Sequence, residues 1–156
     1  YPSTTIDAVT EMMADEAFRE AVADYQRALR STASVTDSGQ VRSTRIEIVH
    51  GTEHVPGFAR KFVGEEIPIV QEETWTSTTH ADVLVTIPGK PGDMSGTINL
   101  AQVGEDVVQT VQLSVKVSIP LVGGKIEDLI VGLLRRALTA ENKVGVKWLA
   151  GQWEGR

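Results

Sequence analysis

The clearest pattern in the chain lies towards its end, where Val107, Gln109, Val111, Leu113, Val115, Val117 and Ile119 alternate with Val108, Thr110, Gln112, Ser114, Lys116 and Ser118. One set is almost wholly apolar and the other mostly polar, as expected of a strand with one buried face. The period then changes from 2 to 3.6. Ile126, Leu129, Ile130, Leu133, Ala137, Ala140, Val144 and Trp148 fall at helical spacing and predict an amphipathic helix from about Lys125 to Leu149. At 1.5 Å per residue it would be roughly 36 Å long, enough to cross a whole sheet. Glu127 and Asp128 are expected in its first turn, with Lys143 and Lys147 near its end, an arrangement that complements the helix dipole.

The beginning of the chain is also helical in pattern. Thr4-Thr5-Ile6-Asp7 resembles a capping box, and Ile6, Val9, Met12 and Met13 follow at helical spacing. Asp15 is placed to cap a second helix carrying Phe18, Ala21, Val22 and Tyr25, so two short helices meeting near Ala14-Asp15 are preferred to one kinked helix. From about Ala33 the period becomes 2. Ser34-Val35-Thr36, the turn Asp37-Ser38-Gly39 and the stretch Val41 to His50 make a hairpin. Pro56-Gly57 marks a turn, after which Phe58, Phe62 and Val63 suggest one short helix over an end of the sheet. Further strands are predicted from Ile67 towards Thr79, from Asp82 to Ile87 and from Ser95 to Val103, with turns at 88–93 and 104–106.

A helix pair, a run of antiparallel strands and one long helix define an α+β chain rather than an alternating parallel one. One helix cannot cover both faces of such a sheet. The sheet is therefore expected to curl around it, with the two small helices closing the gap.

Composition narrows the class. The chain has 156 residues, 41% hydrophobic and 23% charged, which suits a single domain, read as 1–150 with a frayed tail at 151–156. The net charge of −6 argues against nonspecific attraction to nucleic acid or to an anionic membrane surface. No apolar run reaches the length of a membrane span, so no stable membrane insertion is expected and a cytoplasmic location is the default. The absence of cysteine excludes disulfides and thiolate chemistry. The chain opens on Tyr1-Pro2 rather than Met, so upstream residues are expected, with room for a first strand among them.

The stretch from Val115 to Glu127 (VKVSIPLVGGKIE) resembles the strand-to-helix junction of the START-like superfamily, also called SRPBCC, whose members share a helix-grip fold. Phe58-Ala59-Arg60-Lys61-Phe62-Val63-Gly64 and the strand ending Glu73-Thr74-Trp75 are similar to an uncharacterised actinobacterial branch of it. The resemblance covers nearly the whole chain. It implies an apolar cavity between the concave sheet and the long helix, sized for a lipid, sterol or polyketide-like molecule; no cofactor is expected. Cavity-lining candidates on that basis are Phe58, Phe62, Glu73, Trp75, Val85, Ile98, Leu113, Val115, Leu129 and Leu133. The catalytic groups of the family's enzymes have no match in these residues.

Candidate chemistry is sparse. His50 and His54 have a spacing that would suit a metal on a helix, but Gly51 and Pro56 break any helix there, and loop histidines are the simpler reading. His80 has no partner in sequence. Gln71, Glu73 and Trp75 share one strand face, so Glu73 either points into the cavity as a ligand contact or pairs with a base such as Arg45. Phe58 and Phe62 suit a movable lid, and Gly123-Gly124 suit a hinge or a tight turn. Gly132, Ala137, Ala140 and Gly145 keep the long helix slim, for a cavity or for close approach to the sheet.

Three functions follow: a noncatalytic carrier or sensor of an apolar small molecule, a cyclase- or dehydratase-type enzyme using Glu73 or a histidine, or a protein-interaction module. The first is favoured because no nucleophile–base pair is legible. A homodimer is left open.

Overall fold

A computed structural model of the chain describes residues 1–155. Helix α1 (Ile6–Met13) starts at Thr5, whose hydroxyl accepts from the Ala8 amide, and α2 (Glu16–Tyr25) starts at Asp15, whose carboxylate accepts from Ala17. The helix pair thus breaks where Asp15 offers a better partner for free amides than a continued helix would. The capping hydroxyl is that of Thr5.

Six strands follow in a simple meander: β1 (Arg30–Ser38), β2 (Val41–Gly51), β3 (Glu66–Trp75), β4 (His80–Thr86), β5 (Asp93–Val103) and β6 (Asp106–Lys116). Each pairs antiparallel with its predecessor, and the sheet curves around the last helix, α4 (Gly123–Leu149). A short helix α3 (Gly57–Val63) interrupts the meander between β2 and β3. At 1.5 Å per residue α4 is about 40 Å long and spans the sheet.

Several boundaries differ from the sequence pattern. β1 begins at Arg30, earlier than its alternation suggests, and the hairpin closes through Gly39-Gln40, with Gly39 at φ 64°. β6 stops at Lys116 although its alternation continues to Ile119, because the Val117 amide turns to the Glu127 carboxylate at 2.8 Å. α4 begins at Gly123, so Glu127 lies beyond its first turn and ties the helix to the strand end. Glycine is required at Gly123, where a Cβ would lie 2.6 Å from the Val117 carbonyl oxygen.

The main core joins Val9, Met12, Met13, Phe18 and Val22 of the helix pair to Trp75, Val83, Val85, Ile98 and Val107 of the sheet and Val144 of α4. A smaller cluster lies under α3, where Val55, Ala59 and Ile67 meet Val63, Ile69 and Leu129. The first cluster holds the C-terminal half of α4, and the second reaches it near its start.

The central part of α4 behaves differently. Ile126, Leu133 and Ala140 are spaced by seven residues and share one face. Ile126 and Ala140 are 9% and 6% exposed, whereas Leu133 between them is 37% exposed. No residue of α4 between Ile126 and Ala140 is buried. Burial along the helix is tightest towards its two ends and loosest in the middle, where Ile130 is half-buried against the main core and Leu133 is exposed.

Candidate functional site

Opposite that open stretch, β6 presents Val111, Leu113 and Val115 on its inner face, all half-buried. A cavity of about 340 Å³ lies between this strand and α4, lined by Tyr1, Val107, Val108, Gln109, Val111, Leu138, Glu141 and Asn142. Its lining is mixed, with the valines and Leu138 beside Tyr1, Gln109, Glu141 and Asn142.

Glu141 and Gln109 of the lining belong to a buried ionic network. Arg19 of α2 is only 3% exposed. Its Nη2 donates to Glu73 Oε2 at 2.7 Å, its Nη1 to Glu141 Oε2 at 3.3 Å and its Nε to the Met13 carbonyl at 2.7 Å. Glu73 also accepts from Trp75 Nε1 at 2.8 Å and from Gln71 Nε2 at 2.7 Å. Gln109 Nε2 donates to Glu141 Oε1 at 3.0 Å. The network therefore runs from β3 through α2 to α4 and β6, and ends at the cavity.

Its parts are unequal. The Arg19–Glu73 contact is short, with both side chains withdrawn from solvent. Glu141 shares Arg19 at a longer distance and keeps 13% of its side chain exposed. Burial pushes the Glu141 carboxyl above the usual carboxylate range; Arg19 pulls it down, the Glu73 carboxylate raises it and the Gln109 bond lowers it. Burial, with help from Glu141, likewise raises the Tyr1 phenol. Gln109 Oε1 has neither a hydrogen-bond partner nor contact with solvent, a condition that costs about 1–3 kcal/mol for a buried acceptor.

The residues expected from the sequence are scattered. Trp75, Val85 and Ile98 are buried in the main core. Glu73 is fully buried on the inner face with Gln71 and Trp75, but its base is Arg19; Arg45 instead pairs with Glu47 and Glu72 on the outer face. Leu113 and Val115 sit on β6 beside the cavity, Leu129 packs under α3, and Leu133 stands at the open middle of α4. Phe58 is 40% exposed, because α3 turns Ala59 inward instead; Phe62 is half-buried, with Lys61 Nζ 5.1 Å from its ring centre. None of these ten residues is among those lining the cavity.

His50 is half-buried near the end of β2, and burial lowers its pKa, while His54 is exposed in the following turn. His80 meets Asn99 at 2.8 Å and Asp82 at 3.5 Å. No group of three or more potential metal ligands occurs among the described residues. Gly145 is explained by close approach, but to Tyr1 and α1 rather than the sheet: a Cβ there would lie 2.6 Å from the Tyr1 ring and 3.2 Å from the Met12 methyl.

Sequence reasoning missed Arg19, Gln109 and Glu141. A larger depression of about 590 Å³ lies between α1, the β1–β2 hairpin and the end of α4. Its charges already serve each other, with Arg42 paired to Asp37 and Glu11 and Asp15 capping α2.

The fold and cavity define a class: an α+β domain whose curved antiparallel meander holds a long C-terminal helix. Residues 1–149 match a family described as "Protein of unknown function (DUF2505)", and the chain belongs to that family. It is similar to uncharacterised proteins of Mycobacterium tuberculosis and Mycobacterium bovis, each 26% identical over 119 residues, covering 72% of this chain and 68% of the relative. The crystal structure of TTHA0849 from Thermus thermophilus shares the fold, with a TM-score of 0.65, 16% identity and coverage of 96% of this chain and 92% of that one. Among the described residues no helix is long and apolar enough to cross a membrane.

Proposed function

We propose that this protein binds an apolar small molecule between the inner face of β6 and the middle of α4, as a carrier or sensor. The observation that carries this reading is Leu133, 37% exposed on a helix face whose neighbours seven residues either side are buried. A solid core would cover all three. Val107, Val111 and Leu138 in the cavity lining, beside a few polar groups, suit a molecule with an apolar body. The START-like resemblance of residues 115–127 points the same way.

An enzymatic reading is less well supported. Glu73, its best candidate, has both oxygens occupied by Arg19, Trp75 and Gln71 and is absent from the cavity wall. A group so fully engaged serves to hold Arg19 rather than to exchange protons with a ligand.

Native mass spectrometry after gentle purification tests the proposal. A retained small-molecule mass, released by organic extraction and rebound from a lipid mixture, is expected. Protein that carries no such mass and takes none up from the mixture would overturn it.

A further inference from the structure

We infer that the free edge of β6 is the seat of a further β-strand, formed by the backbone that leads into Tyr1 and lying antiparallel to β6 between Val107 and Val115. The inference stands apart from ligand binding and concerns what closes the open side of the cavity.

β6 is the last strand of the sheet, so one of its edges has no strand beside it. Its pairing with β5 is regular, from Val103 opposite Asp106 to Asp93 opposite Lys116. In such a ladder successive residues turn their N–H and C=O groups alternately to one side and the other. Val107 shows which set faces the free edge. Its N–H donates to the Tyr1 carbonyl at 2.9 Å, and its carbonyl accepts from the Tyr1 nitrogen at 2.9 Å. Gln109, Val111, Leu113 and Val115 therefore face the same way, and among the described residues no backbone group meets theirs on that side. Next in line is Val117, whose N–H donates to Glu127 Oε1 at 2.8 Å. The edge is paired at both ends and bare between them. A row of unpaired N–H and C=O groups is a template for another strand.

Two observations choose the occupant. Residues that exchange both backbone hydrogen bonds form an antiparallel pair, so Tyr1 already stands as the last residue of a strand on this edge. An antiparallel continuation sets the residue n places before Tyr1 opposite residue 107 + n, and about eight residues reach Val115. The second observation is the space. The Tyr1 ring turns inward onto α4, where a Cβ on Gly145 would lie 2.6 Å from it, and Glu127 of the same helix meets Val117. Between these two ties lies the cavity lined by Tyr1, Val108, Val111 and Leu138. An added strand would occupy its outer part and wall off the rest. Residues at even n would share Tyr1's inward face, towards Leu138 and the exposed Leu133, and those at odd n would face outwards. Continuation from an anchored residue also has an effective concentration that a second copy lacks.

Hydrogen exchange read by NMR tests this on the whole protein as its gene encodes it, beside a chain cut to begin at Tyr1. The amides of Gln109, Val111, Leu113 and Val115 are expected to exchange at least about a hundredfold more slowly in the whole protein, at any protein concentration. Equal rates in the two would overturn the inference. Protection that rises with protein concentration would assign the edge to a second copy and overturn it as well. Should the cut chain not fold, NOE contacts in the whole protein decide. Cross-strand contacts from Val111 and Leu113 to residues ahead of Tyr1 are expected, and their absence would overturn the inference. No ligand enters either measurement, so the result is separate from that of the binding test.

Discussion

Arg19 Nη2 lies 2.7 Å from Glu73 Oε2, with the two side chains 2% and 0% exposed, so a charge from the second helix is locked to one from the third strand inside the core. Two buried ions come out of water at considerable cost, and the pair is stable only while both remain. Removing one should be severe. Glu73→Ala leaves the Arg19 charge facing only the more distant Glu141 carboxylate, and Arg19→Met leaves two carboxylates without their cation. Each is expected to lose about 3–5 kcal/mol of unfolding free energy in urea titrations. The double variant Arg19→Met with Glu73→Leu should lose clearly less than the sum. Additive losses would mean that the contact carries no coupling.

Glu141 makes stability depend on pH. Burial raises its folded-state pKa, so the folded protein holds a proton that the unfolded chain has released above about 4.3. That contribution is fully present below the unfolded value and is lost as pH rises through the folded one. Glu141→Gln has no such loss. The difference in Tm, variant minus wild type, should therefore grow as pH is raised from the carboxyl range towards neutrality. A difference that stays flat or shrinks would contradict the assignment. Other titrating pairs, such as Arg30 with Glu66, are common to both proteins and cancel.

Two glycines should respond oppositely to alanine. At Gly96 of β5 a Cβ would lie 1.7 Å from the Gln112 carbonyl oxygen of β6, so backbone would have to move. Gly96→Ala is expected to destabilise by about 1–3 kcal/mol or more. Gly132 of α4 has nothing within 4 Å of a Cβ. Gly132→Ala should stabilise by about 1 kcal/mol, the usual gain for alanine in a helix interior. Thermal unfolding of both variants checks the pair.

The elements were largely legible in the sequence because their signals are local. Alternation marks β6, a 3.6-residue stripe marks α4, and Asp15 marks the break between α1 and α2. Where a distant partner intervenes, local signals fail. β6 ends early because Glu127, ten residues on, takes the Val117 amide. The site was less legible for the same reason. Arg19 follows Phe18 on an amphipathic helix and reads as solvated, while its partners Glu73 and Glu141 lie 54 and 122 residues away. Gln109 reads as the single polar interruption of an apolar strand face, and that interruption was its one available signal. Phe58 misled in the opposite sense, since this large apolar side chain of α3 faces out and the small Ala59 faces in.

The central claim is that the space between β6 and the middle of α4 receives an apolar molecule. Residue-resolved NMR during titration with dodecanol tests it most directly. Saturable shifts are predicted at Val111, Leu113, Leu133 and Leu138, with Arg42 and Asp37 across the molecule unaffected. No saturable shift, or shifts confined to the depression around Arg42, would contradict it.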